Sequence, residues 1–86
     1  MKYRIEFKKS ALKDLLQIPQ EERKKIIKTI DGLAEEPRPR GVIKLQGNKM
    51  LLWRIRIGNY RVIYSIFDEV LLVEVIEVGD RKDIYR

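Results

Sequence analysis

The spacing of apolar residues predicts an α+β fold, with two N-terminal helices packed on one face of a small antiparallel sheet. Three observations carry this expectation. Tyr3, Ile5 and Phe7 alternate with Arg4, Glu6 and Lys8, the period of a half-buried strand. Residues 11–34 then carry apolar side chains at three- and four-residue spacings, the period of helices. From Met50 onward three apolar runs follow closely, the first two joined by Gly58–Asn59. The predicted order is β-α-α-β-β-β with a polar C-terminal tail. A chain of 86 residues leaves no room for a second core, so residues 1–86 are expected to form one domain.

Each element has a local cause. Ser10 is placed to cap a short helix carrying Ala11, Leu12, Leu15 and Leu16, ending near Ile18. Pro19 suits the first turn of the next helix, where its missing N–H costs nothing. Ile26, Ile27, Ile30, Leu33 and Ala34 form the apolar stripe of that helix, and Pro37 and Pro39 stop it. Residues 35–48 read as a connection, with a short extended piece at Val42 to Leu45. The strands are expected at Met50 to Ile57, Tyr60 to Phe67 and Val70 to Val78. Gly58 in the first position of a two-residue turn points to type II′, and Asp68–Glu69 marks the second reversal.

That turn sets a register. Ile57 faces Tyr60, Arg56 faces Arg61, Ile55 faces Val62 and Arg54 faces Ile63. Trp53, Ile55, Ile57, Tyr60, Val62 and Tyr64 then share one apolar face, continued by Ile66, Leu71, Val73 and Val75. The other face receives Arg54, Arg56, Arg61, Ile63, Ser65, Leu72, Glu74 and Ile76. Like charges directly opposed are destabilising unless something anionic lies between them. Arginine suits that task, because its planar fork grips phosphate bidentately and stays charged. Solvated arginines, with Glu74 pairing Arg54, are the plainer alternative. Three guanidinium groups together, with no acid opposite Arg61, favour an anion site.

Composition narrows the chemistry. The chain has no cysteine and no histidine, which removes disulfides, thiol nucleophiles, the usual general base and the commonest metal ligand. No metal and no cofactor are expected. The net charge of +6 makes a polyanion the first partner to consider. No apolar run approaches the roughly 18–20 residues that span a bilayer, and the charged start MKYRIEFKK has no signal-peptide apolar region. A cytoplasmic protein with no membrane partner is expected.

The hairpin LLWRIRIGNYRVIYSIFDE, the strand VLLVEVIEVG and the ending DRKDIYR resemble the RelE family of toxins, within the RelE/ParE superfamily of type II toxin–antitoxin systems. The opening YRIEFKKSALKDLLQIP and the segment KLQG extend the resemblance over nearly the whole chain. The resemblance implies a RelE-like fold and an mRNA endoribonuclease that acts in the ribosomal A site. In such an enzyme the RNA 2′-hydroxyl attacks its own neighbouring phosphate. By the family pattern Arg61 and Arg81 would bind the scissile phosphate, and Arg56 and Arg54 would hold the RNA backbone. Tyr85 would stack on a base or share in proton transfer, and Lys82 and Arg86 would add RNA contacts. Several family members carry Lys where this chain has Arg54 and Arg56, and many have His where it has Asp80. Arg cannot be deprotonated in proteins, whereas Asp80 could act as a base but would also repel phosphate.

The implied partners are the ribosome, mRNA and a small acidic RelB-like antitoxin. Two other functions keep the same fold: a non-catalytic ParE-type toxin that inhibits DNA gyrase, and a plain RNA-binding domain.

Overall fold

The computed structural model describes residues 2–45 and 51–80. Strand β1 (Arg4–Phe7) leads into helices α1 (Lys9–Leu16) and α2 (Gln20–Gly32). Strands β2 (Ile43–Leu45), β3 (Leu52–Ile57), β4 (Tyr60–Phe67) and β5 (Leu72–Asp80) follow, with a 3-10 turn at Asp68–Val70 before β5. The five strands form one sheet in the order β1-β5-β4-β3-β2.

The α+β class and the helix–helix–sheet order match the expectation, with two differences. The extended piece at residues 42–45 is a true strand, β2, which pairs antiparallel with β3 and forms one edge. The sheet is mixed, because β1 runs parallel to β5 on the opposite edge. Alternation reports which face a strand buries but not which way its neighbour runs. Here α1 and α2 return the chain to the start of β1, where the Tyr3 N–H donates to the Ala34 carbonyl at 2.7 Å. β1 is thereby laid against the last strand, with Ile5 beside Val73 and Phe7 beside Val75.

The core lies between the helices and one sheet face. Ala11 and Leu15 of α1, Ile26 and Ile30 of α2, and Leu33 after it pack with Ile55, Val62, Tyr64, Val73, Val75 and Val78. Full burial of a side chain of this size stabilises by about 1.5–3 kcal/mol. Leu12, Leu16 and Ile27, expected to share in the core, lie at exposed positions. Ser10 is not the helix cap. Lys8 occupies that position without a side-chain hydrogen bond, and Pro19 stands just before α2 rather than inside it.

The β3–β4 hairpin has the predicted register throughout, from Leu52–Ser65 to Ile57–Tyr60. Gly58 has φ +61° and Asn59 a negative φ, the signs a type II′ turn requires. The second reversal is longer than two residues. Its 3-10 turn ends at Leu71, which has φ 51° and ψ 57°. This left-handed backbone costs a non-glycine residue on the order of 1–2 kcal/mol. The last strand therefore starts at Leu72 instead of Val70 and runs through Gly79 to Asp80.

One irregularity matters for the site. Tyr64 pairs with Val75 while Ile63 pairs with Glu77, so Ile76 is an extra residue with no counterpart on β4. This β-bulge exchanges the faces beyond it. Val73 and Val75 lie on the helix side before it, and Val78 is buried there after it. The position expected for Ile76 on the arginine face is accordingly taken by Glu77.

Candidate nucleic-acid interface

Strand pairing assembles the face away from the helices row by row. At the hairpin end Arg56 lies opposite Arg61, and Arg61 lies opposite Gly79. The next row on this face is Ile43, Arg54, Ile63 and Glu77, and the next is Leu45, Leu52, Ser65 and Glu74. A basic end therefore adjoins an apolar middle. The acid in the row of Arg54 is Glu77, not Glu74.

The two opposed arginines are closely spaced by construction. In a hairpin with a two-residue turn the closing pair, Ile57–Tyr60, exchanges both backbone bonds. Arg56–Arg61 is then a non-hydrogen-bonded pair, with Cα atoms about 4.5 Å apart. Two cations so placed repel each other, and an anion bridging them removes that cost.

Their environments differ. Arg56 is exposed and Arg54 half-buried, whereas Arg61 is only 2% exposed. Of the three arginines on this face, only Arg56 is exposed. Arg61 is on the central strand, flanked by β3 and β5. A buried guanidinium is more weakly hydrated than an ammonium and better suited to a partly dry anion site. Ser65, four residues on, is also buried on this face.

Arg81, Lys82, Tyr85 and Arg86, singled out from the tail, lie outside the described residues. Asp80 pairs with Tyr60 and so shares the helix side of the sheet, away from Arg61. No group of three or more potential ligands that could hold a metal ion occurs among the described residues.

A second polar cluster went unnoticed in the sequence. Asp68 accepts hydrogen bonds from the Tyr3 hydroxyl at 2.6 Å and from both terminal nitrogens of Arg38, at 2.7 and 3.3 Å. The Arg38 guanidinium also stands 5.2 Å from the centre of the Trp53 ring. These bonds hold the Asp68 carboxyl below the usual carboxylate range, first through Arg38 and then through Tyr3. The same contacts raise Tyr3, chiefly through its bond to Asp68, and raise Arg38. Arg38 and Asp68 are 30 residues apart, and no local spacing pairs them. Beside this cluster a surface depression of about 450 Å³ is lined by residues 66–70. It lies at the far end of β4 from Arg61. The cluster ties β1, the loop after α2 and the β4–β5 turn together and contributes no group to the arginine face.

The comparisons with known proteins identify a small toxin of the type II toxin–antitoxin class. The chain belongs to the RelE/ParE toxin family: residues 5–85 match the model of the ParE toxin of type II toxin–antitoxin system, parDE. It is 28% identical over 88 residues to the mRNA interferase toxin RelE of Escherichia coli K12, spanning 95% of this chain and 86% of that protein. The archaeal RelE–RelB complex of Pyrococcus horikoshii contains a chain 34% identical to this one, with a TM-score of 0.82. That match covers 94% of this chain and 97% of the other. The RelBE2 toxin–antitoxin complex of Mycobacterium tuberculosis gives 27% identity and a TM-score of 0.83 over 94% of this chain and 100% of the other.

Proposed function

We propose that this toxin is an mRNA endoribonuclease that acts on the ribosome, cutting in the A site. The observation that carries the reading is the opposed Arg56–Arg61 pair, with Arg54 beside it on the same sheet face. The likeness to the mRNA interferase toxin RelE supports it.

In the proposed reaction the RNA 2′-oxygen attacks the adjacent phosphorus, giving a 2′,3′-cyclic phosphate and a free 5′-hydroxyl. The transition state adds negative charge to the phosphoryl oxygens. Arg61 and Arg81 hold that phosphate, Arg56 and Arg54 fix the flanking backbone, and Lys82 and Arg86 extend the grip. Tyr85 stacks on a base. Charge stabilisation and alignment are the two terms a cluster of fixed cations supplies.

The natural partner is a small acidic antitoxin of the RelB type, as the RelE–RelB complexes among the similar structures suggest. Arginines beside Ile43, Leu45, Leu52 and Ile63 suit a segment carrying both acids and apolar side chains. The site of action is the cytoplasm, where the ribosome and mRNA are; among the described residues no helix is long and apolar enough to cross a membrane.

The match to the ParE family model favours one second reading, a toxin that binds and inhibits DNA gyrase without cutting RNA. A defined mRNA on programmed ribosomes, mapped by primer extension, separates the two. A new 5′ end within the A-site codon, absent without ribosomes, supports the nuclease. No cut by folded protein, together with inhibition of gyrase supercoiling, replaces it with the second reading.

A further inference from the structure

A phosphate grip does not by itself remove the 2′-hydroxyl proton. The chain has no histidine, and its arginines stay protonated. Asp80, the acid at the end of β5, falls on the helix side of the sheet. The extra residue Ile76 changes what the other side receives. Without the bulge, alternation along β5 would put Glu77 under the helices. With it, Glu77 pairs with Ile63 on the arginine face. Bulges commonly re-aim a side chain beside an active site.

Glu77 is diagonal to Arg61 across β4–β5, a relation that sets Cα atoms about 7–8 Å apart. An anion on Arg61 would therefore lie within reach of its carboxylate. Glu77 is exposed and makes no hydrogen bond or ion pair with any described residue. β1 ends opposite Val75, so beyond it no described strand pairs with the outer edge of β5 beside Glu77. An exposed carboxylate diagonal to Arg61, in the row of Arg54 and without an ion pair to any described residue, is available to a substrate.

We propose that Glu77 is the general base for this toxin, taking the proton from the attacking RNA 2′-hydroxyl. The inference rests on the ribonuclease reading above. As the O2′–P bond forms, the O2′ proton passes to the Glu77 carboxylate and the P–O5′ bond breaks. The departing 5′-oxygen takes a proton from water, and the resulting hydroxide removes the proton from Glu77. The net reaction is a transesterification with no proton consumed.

The test is single-turnover cleavage on programmed ribosomes by wild type, Glu77→Gln and Glu77→Ala, over a range of toxin concentrations and with added formate. General base catalysis supplies about 100- to 10,000-fold. Both variants are expected to lose at least about 100-fold in maximal rate, with the half-saturating concentration unchanged or lower. Formate is expected to restore the Ala variant at least about tenfold and not the Gln variant, whose amide fills the space. A rate within about threefold of wild type overturns the assignment while leaving the nuclease reading intact. A loss confined to half-saturation, or a fall that formate does not rescue in the Ala variant, also overturns it. No cleavage by wild type overturns the nuclease reading and the assignment together.

Discussion

Tyr64 links the hairpin that bears the arginines to the loop after α2, and its removal can be worked out in some detail. The side chain is fully buried, and its hydroxyl donates to the Pro37 carbonyl at 2.7 Å. Tyr64→Phe keeps the ring and deletes the donor, leaving a carbonyl of the buried Pro37 without that bond. Leaving a buried acceptor unsatisfied costs about 1–3 kcal/mol. At about 4–8 °C per kcal/mol for a domain of this size, the melting temperature should fall by about 4–24 °C. Burial also pushes the Tyr64 phenol up from 10.0 to about 12. Its folded pKa lies above its unfolded one, so the associated stability is complete below pH 10 and is lost as pH rises toward 12. The gap corresponds to at most about 2.7 kcal/mol. Urea unfolding of both proteins, followed by far-ultraviolet circular dichroism from pH 7 to 11, measures both effects. The difference between wild type and variant should shrink above pH 10. A difference below about 0.5 kcal/mol at pH 7, or one that does not change with alkaline pH, would refute the reasoning.

Other outcomes follow from burial. Trp53 is half-buried under Arg38 rather than enclosed, so Trp53→Ala should cost about 1.5–3 kcal/mol by urea unfolding, less than the 3–5 kcal/mol of a fully buried tryptophan. Arg61→Ala should abolish toxicity and lower stability by about 1–3 kcal/mol, because its side chain is 2% exposed. Arg81→Ala should abolish growth arrest when the toxin is expressed alone, and retained arrest would remove Arg81 from the site.

Much of this architecture was legible in the sequence because its signals are local. A glycine leading a two-residue turn determines the hairpin register, and that register alone opposes Arg56 to Arg61 and segregates Trp53, Ile55 and Val62 from them. The parts that were not legible depend on contacts distant in sequence. The direction of β1 follows from how the helix pair returns the chain, so the sheet is mixed where alternation suggested an antiparallel one. The burial of Arg61 follows from its place on the central strand. The bulge at Ile76 is the exception, because it leaves a local mark: Val75 and Ile76 are adjacent apolar residues, and Glu77 follows Glu74 by three, so that unbroken alternation would place Glu77 under the helices. That one inserted residue brings Glu77 onto the arginine face. The association of Tyr3, Arg38 and Asp68 likewise joins three segments that no spacing rule connects.

The central claim is that the arginine face cuts RNA, and Arg56 tests it most directly. It is exposed, so Arg56→Ala should leave stability within about 0.5 kcal/mol of wild type. The measurement is the single-turnover rate of mRNA cleavage on programmed ribosomes for wild type and this variant, alongside their melting curves. The account predicts a variant that melts like wild type and cuts at least about tenfold more slowly, the loss of one charge-assisted contact to phosphate. An equally stable variant that cuts at the wild-type rate would contradict it.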